Sequence, residues 1–289
     1  MNPQLRRRVL KVSFVTLVVL VSSAIGTLGF IWSHNQYLAP AACSAEPLDD
    51  PAAIQLLDRL LASIVHDDGV DYGAARTQLD TIESLVCWVG SHEPRSDWKQ
   101  DLAFHINAYN LLVIYGVLRT DVAQTIHEVH VPLVPFAGYG FFYSLRFQVE
   151  GQRINLYQLE HESIRARYAD ARIHAALNCA SASCPPLAPW AFKPDELDAQ
   201  LQQVAHSFAS VGEHVRPDED ARTLNLSSIY LWYRSDFETH ATSLALDPSV
   251  PAWIVHMADE ADDNSLLQQA VREGWPVVWL PYDWSLNAR

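Results

Sequence analysis

From Val12 to Trp32 the chain runs 21 residues without a charge. As a helix rising about 1.5 Å per residue, this run is roughly 31 Å long and matches a hydrocarbon core of about 30 Å, so it predicts a transmembrane segment. Beyond it the pattern becomes that of a folded domain. Pro51 to Val65 and Leu79 to Val89 each gather apolar residues on one face and predict amphipathic helices. Asp101 to Arg119 differs in kind. At 100° per residue its apolar side chains point in every direction, which predicts a central helix surrounded by protein. His105, Asn107 and Asn110 then become buried polar groups, each needing a partner because an unpaired one costs about 1–3 kcal/mol. They either pin neighbouring loops or line a site.

Phe147 to Ile154 predicts a hairpin turning at Glu150-Gly151, followed by Asn155 as the N-cap of a helix running to Tyr168. On that helix Glu160 falls at about 40° from Leu156, inside the apolar arc, and His161 at about 140°, on its edge. A carboxylate inside an apolar arc requires a partner, so Glu160-His161 is the first pair that suggests chemistry rather than packing. Neighbours on a helix diverge by about 100°, so Glu160 is not expected to hold His161 directly. Val277 to Leu280 predicts a terminal strand. Helices interspersed with short strands define an α+β class, a single mixed α/β domain over residues 51–289. Residues 33–50, with Pro40 and Pro47 and no periodicity, read as a linker.

Charge sets the orientation. Arg6, Arg7, Arg8 and Lys11 precede the apolar run and hold residues 1–11 in the cytoplasm. This predicts a single-pass protein of the inner (plasma) membrane whose C-terminal domain is periplasmic. A cleaved signal peptide is the competing reading, with Ala39-Pro40-Ala41 as small residues. The apolar run exceeds the usual 7 to 15 residues of such peptides, and the small residues lie well past its end, so an uncleaved anchor is preferred. Cys43 lacks the aliphatic residue three positions earlier that a lipoprotein signal carries.

The net charge is −14. Four of the 20 basic residues and no acid precede residue 44, so the remainder holds 16 basic against 34 acidic residues, a formal −18. Such a surface repels phosphate backbones and argues against a nucleic-acid partner. Four cysteines are too few to build a disulfide mini-domain, and Cys87, within an apolar run, is expected as a buried thiol.

Asp170 to Leu187 starts as an apolar element and ends at Pro185-Pro186. Cys179 and Cys184 flank Ala180-Ser181-Ala182-Ser183, a loop able to turn backbone N–H groups toward an anion. Two unlike chemistries fit: a thiolate nucleophile with a histidine base, or a disulfide or metal clip. A metal held by Cys179, Cys184 and His161 would lack any standard ligand spacing, and no cofactor motif is present.

Several stretches together resemble the family known as domain of unknown function 547. They are Phe104 to Asn110, Leu159 to Arg165, Asp170 to Pro186, Leu224 to Tyr233 with Asp236-Phe237, and Tyr282 to Asn287. The resemblance extends from about residue 100 to the end. It implies a fold related to papain-like or transglutaminase-like cysteine enzymes, in rearranged form because His161 precedes the cysteine. The family pattern fits Asn178-Cys179 more firmly than Cys184, which makes Cys179 the candidate nucleophile. At His105 the family more often has an aromatic or aliphatic residue, so no catalytic role is carried there.

In the enzyme reading, Cys179 attacks a carbonyl and His161 moves the proton, while Glu160 or Asn107 orients the imidazole. Backbone N–H groups of Ala180 to Ser183 would bind the oxyanion, with Ser183 and Cys184 lining the site. Asn110, Asn178 and Asp283 are further orienting candidates. His174 is the rival base. If residues 172–178 were a strand, His174 would point away from Cys179, which favours His161. The expected function is a membrane-anchored cysteine-dependent hydrolase or acyltransferase acting on a peptide or other amide. The alternative is a non-catalytic binding or scaffold domain with a Cys179–Cys184 disulfide.

Overall fold

The structure, a computed structural model, describes residues 35–44, 46, 48–131, 134, 136–258 and 264–289. The expected membrane segment, Val12 to Trp32, lies outside the described residues. The N-terminal half is helical around one long rod. Helix α1 (Asp50–Ile64) starts where Asp49 accepts the N–H of Ala52 and Pro51 occupies the first turn. After the short hairpin β2–β3 (Val65–His66 and Gly69–Val70) come α2 (Tyr72–Thr77), α3 (Leu79–Ser91) and α4 (Trp98–Arg119).

Every residue from Asp101 to Leu118 of α4 is buried, as its all-round apolar pattern predicts. This helix is long and apolar enough to cross a membrane, yet it lies wholly inside the domain. Asp97 caps its start, accepting from the N–H groups of Lys99 and Gln100.

Among the described residues, three small sheets decorate this core. In the first, β4 (Leu145–Val149) pairs antiparallel with β5 (Gln152–Ile154) and parallel with β1 (Gln36–Tyr37). The β4–β5 turn is Glu150-Gly151, both at positive φ (49° and 75°), the two-residue geometry whose twist suits a hairpin. The third sheet joins β6 (Val215–Asp218), β7 (Thr223–Leu226) and β8 (Val277–Trp279), with β7 antiparallel to β6 and parallel to β8. Between the sheets lie α6 (Ile173–Ala176), α7 (Leu197–Ala209) and, after β7, helices α8 (Ser228–Trp232), α9 (Arg234–Ser243), α10 (Val250–Met257) and α11 (Ser265–Arg272).

Several elements depart from the sequence pattern. The helix after Asn155, α5, begins as expected with a reciprocal cap between Asn155 and Gln158, but from Leu159 to Arg165 it widens into a π-helix and stops three residues before Tyr168. Side chains there no longer follow 100° spacing. Residues 173–176 are a helix, not a strand, so the facing argument against His174 does not hold. The stretch expected as a free linker is docked where it is described: Gln36 and Tyr37 pair with β4, Ala41 donates its N–H to Glu83, and Cys43 is bonded to Cys87. Cys87 is therefore a disulfide partner rather than a buried thiol.

The C-terminal tail crosses the molecule. Ser285, Leu286 and Ala288 form bridges to Thr125, Ser181 and Val70, stitching segments far apart in sequence. Tyr72 donates its hydroxyl proton to Asn287, and Asn287 in turn donates from Nδ2 to Asn178. This lacing sets Tyr282 over the cysteine loop.

Candidate active site

A cleft of about 380 Å³ opens where α5, the cysteine loop, α8 and the tail meet. Half of its lining is made of Tyr, Phe and Trp: Tyr109, Phe142, Tyr143, Tyr157, Trp232, Tyr233, Tyr282 and Trp284. Glu160, His161, Arg165, His174, Cys179 and Cys184 bring polar chemistry into it.

Cys179 and Cys184 are joined as a disulfide. The loop between them turns at Ala180, at φ 62°, and is held from both sides. Asn110, on α4, donates to the carbonyl of Ala176 (2.8 Å) and accepts the N–H of Asn178 (2.9 Å). Asn178 donates to the carbonyl of Pro185 (2.9 Å) and accepts the N–H of Ala180 (2.9 Å). The two asparagines therefore fix the loop and face no imidazole.

Tyr282 contributes what the sequence reading missed. Its hydroxyl lies 3.2 Å from Sγ of Cys179, 3.3 Å from Sγ of Cys184 and 2.6 Å from Oγ of Ser181. Burial pushes this phenol up to about 12, so it keeps its proton and acts as a donor at neutral pH. The residue stands in one of the stretches carrying the family resemblance, but nothing local to it ties it to Cys179.

Three of the four expected oxyanion donors are paired within the protein. The N–H of Ala180 goes to Oδ1 of Asn178, that of Ala182 to the carbonyl of Ser285 and that of Ser183 to the carbonyl of Asp283. Tail pairing consumes groups that an isolated loop would have left free.

Glu160 finds its partners in two tyrosines. Tyr233 donates to Oε1 at 2.7 Å and Tyr109 to Oε2 at 3.3 Å. Nδ1 of His161 lies 3.9 Å from Oε1 of Glu160, close enough to feel the charge and too far for a hydrogen bond. The His161 ring stacks on Tyr157 at 3.9 Å, and Tyr157 stacks on Tyr143. Burial lowers the imidazole below its usual value despite the nearby carboxylate, which favours the neutral, proton-accepting form.

His174 is more enclosed. Its Nε2 meets Oδ2 of Asp236 at 2.9 Å, and its ring stacks on Tyr233. Asp236 also accepts from Nε of Arg165 at 2.9 Å. Burial opposes ionisation of Asp236, but the hydrogen bonds from His174 and Arg165 outweigh it and hold the carboxyl far below the usual range. The His174 side chain is 2% exposed against 28% for His161, so His161 is the imidazole open to the cleft.

Asn107, Ser183 and Asp283 stand apart. Asn107 donates to the carbonyl of Phe192 and accepts its N–H, both at 2.8 Å, so its amide is engaged away from the cleft. Ser183 and Asp283 close a surface turn on each other: the N–H of Asp283 donates to Oγ of Ser183, and Oδ1 of Asp283 caps Ser285.

A group of metal-ligand type occurs elsewhere among the described residues, where ligand atoms of Asp101, His105 and Glu150 lie within 4.8 Å of one another. Asp101 there already pairs with Arg167 at 2.9 Å, and His105 donates from Nδ1 to the carbonyl of Asp101 at 2.8 Å. The cluster is accounted for as a buried ion-pair network behind α4.

Residues 95–209 match the family described as protein of unknown function, DUF547. The matched segment carries Glu160, His161, His174 and both cleft cysteines. Comparison with the curated proteins and with the solved structures gave no match.

Proposed function

We propose that the chain is a cysteine-dependent hydrolase or acyltransferase acting on a peptide or other amide, its nucleophile stored as the Cys179–Cys184 disulfide. The observation that carries this reading is the meeting of Cys179, His161 and Tyr282 in one aromatic-walled cleft. Two equivalents of a thiol convert the disulfide to two thiols and leave as a disulfide themselves. The Cys179 sulfur then forms a bond to the amide carbonyl carbon. His161 takes the thiol proton and returns it to the departing amine as the C–N bond breaks. Tyr282, 3.2 Å from the sulfur, is the donor suited to the oxyanion. Water or a second amine then releases the acyl group. The relation to papain-like or transglutaminase-like folds belongs to this proposal and rests on Cys179 and His161 lining the same cleft.

The same proposal places the domain outside the cytoplasm, anchored through Val12 to Trp32. Two disulfides support an oxidising compartment. Gln36 is paired to the domain, so three residues separate it from the end of the proposed anchor, which would hold the domain against the bilayer. Protease accessibility in intact spheroplasts tests the placement: a protected domain overturns it.

The closed disulfide favours a second reading, a binding or scaffold domain without catalysis. Alkylation of the reduced protein separates the two. Cys179 is expected to react with iodoacetamide faster than Cys184 near neutral pH, and His161→Ala is expected to slow it. Equal, slow labelling of Cys179 in the wild type and in His161→Ala gives precedence to the binding reading.

A further inference from the structure

The two sulfurs of the cleft disulfide are not equivalent. Cys184 is 7% exposed, whereas Cys179 is only half-buried. Both sulfurs have hydroxyls nearby: Ser181 and Tyr282 stand 3.1 and 3.2 Å from Cys179, and 3.5 and 3.3 Å from Cys184. Among the described residues, Cys184 alone also receives a backbone N–H, that of Cys179, at 3.0 Å. An amide hydrogen aimed at sulfur stabilises its thiolate, and in thiol–disulfide exchange the better-stabilised thiolate is the better leaving group. Access and leaving-group stability therefore point the same way.

The charges around the pair narrow the class of thiol. Arg165 pairs with Asp236 across 2.9 Å and also faces Glu160, so one guanidinium stands against two carboxylates and the group keeps a net negative charge beside the aromatic walls. Aromatic faces and a carboxylate favour an ammonium group and disfavour a second anion.

We propose that Cys179–Cys184 is a thiol–disulfide exchange centre for amine-bearing thiols, in which the incoming thiolate attacks Sγ of Cys179 and Cys184 departs as the thiolate. In the first step the Cys179–Cys184 bond breaks, a bond forms between the incoming sulfur and Cys179, and the negative charge passes to Cys184. In the second step another thiolate attacks the incoming sulfur of this mixed disulfide. Cys179 is released as a thiolate, the protein pair has gained two electrons, and the thiol has been oxidised to its disulfide. This exchange goes beyond the amide chemistry proposed above and stands without it.

The test uses the full chain in detergent micelles with dilute cysteamine. Samples are quenched in acid at short times, free thiols are blocked with N-ethylmaleimide, and peptides are mapped by mass spectrometry. The expected early species carries cysteamine on Cys179 and maleimide on Cys184. Cysteamine on Cys184, an even distribution, or no adduct under conditions where the unfolded chain reacts overturns the proposal. A second arm compares cysteamine with 3-mercaptopropionate, each rate corrected for its thiolate fraction. Cysteamine is expected to react about tenfold faster, from opposite unit charges acting at short range, and Glu160→Gln is expected to shrink that ratio. Equal rates for the two thiols remove the amine preference. His161-dependent alkylation of pre-reduced Cys179 is scored separately, so failure of exchange and failure of the amide reading are told apart.

Discussion

The hydroxyl of Tyr282 lies 3.2 Å from the sulfur of Cys179, across 103 residues of sequence. With its phenol protonated, it offers a reduced Cys179 a hydrogen bond that favours the thiolate. Tyr282→Phe keeps the ring against Trp232 and Trp284 and removes that one donor. A hydrogen bond to a charged group is worth about 1.5–3 kcal/mol, part of which Ser181 replaces, so alkylation of reduced Cys179 at pH 7 is expected to slow by about threefold to tenfold. Labelling rates against pH check this. An unchanged rate shows that the phenol does not act on the thiolate.

Asn107 is expected to matter for stability and not for reactivity. It satisfies both backbone groups of Phe192 inside the core, so Asn107→Ala leaves a buried N–H and a buried carbonyl without partners. The expected cost is about 2–4 kcal/mol, a fall in melting temperature of roughly 5–15 °C. The rate of Cys179 labelling per folded molecule is expected to stay within about twofold of wild type. Slower labelling at normal stability would return Asn107 to the candidate site.

The contrast between Asn107 and Tyr282 marks how far the sequence was legible. Local patterns carried the elements: α4 is buried because its apolar residues surround it, and the hairpin turns at Glu150-Gly151 because both residues adopt positive φ. The Glu160-His161 pair was visible as polar residues on an apolar arc, and both line the cleft. What pairs with them depends on packing across long separations. Glu160 is held by Tyr109 and Tyr233, 51 and 73 residues away, and no periodicity encodes that. The π-helix over Leu159–Arg165 changes the angular spacing just where the helical wheel was being read. The pairing of the cysteine loop was hidden for a related reason, since the N–H groups of Ala182 and Ser183 go to a tail about 100 residues downstream.

Acidification should weaken the fold through its buried histidines. Burial lowers His214 to about 4, beside Phe208 and against Arg216, which also disfavours a second positive charge. The unfolded chain binds this proton near pH 6.5 and the folded chain not until about pH 4, so the unfolded state holds more protons between them. The contribution is fully present above about pH 6.5 and is lost as the pH falls toward 4, on the order of 3 kcal/mol in all. Burial lowers His92, His127, His161 and His240 in the same direction. Urea midpoints are expected to fall between pH 7 and pH 5, and His214→Leu is expected to flatten part of that slope. The same slope in the variant would mean that His214 titrates normally.

The Cys43–Cys87 disulfide should act as a staple independent of the cleft. It closes a span of 44 residues and ties the segment carrying β1 to α3. Beside it Ala41 donates to Glu83, which also pairs with Arg119 at 2.9 Å and accepts from Tyr115. A cross-link over such a span stabilises the fold by about 2–4 kcal/mol, chiefly by restricting the unfolded chain. Replacing both residues, Cys43→Ser with Cys87→Ser, is therefore expected to lower the melting temperature by roughly 5–15 °C. The segment before α1 should then become the first site of limited proteolysis, because β1 contributes only two residues to its sheet. Cys179–Cys184 should still form, with unchanged exchange kinetics, since its loop is held by Asn110, Asn178 and the tail. A variant that melts within about 2 °C of the wild type and resists cleavage there would show that β1 and the Glu83 contacts hold the segment without the disulfide.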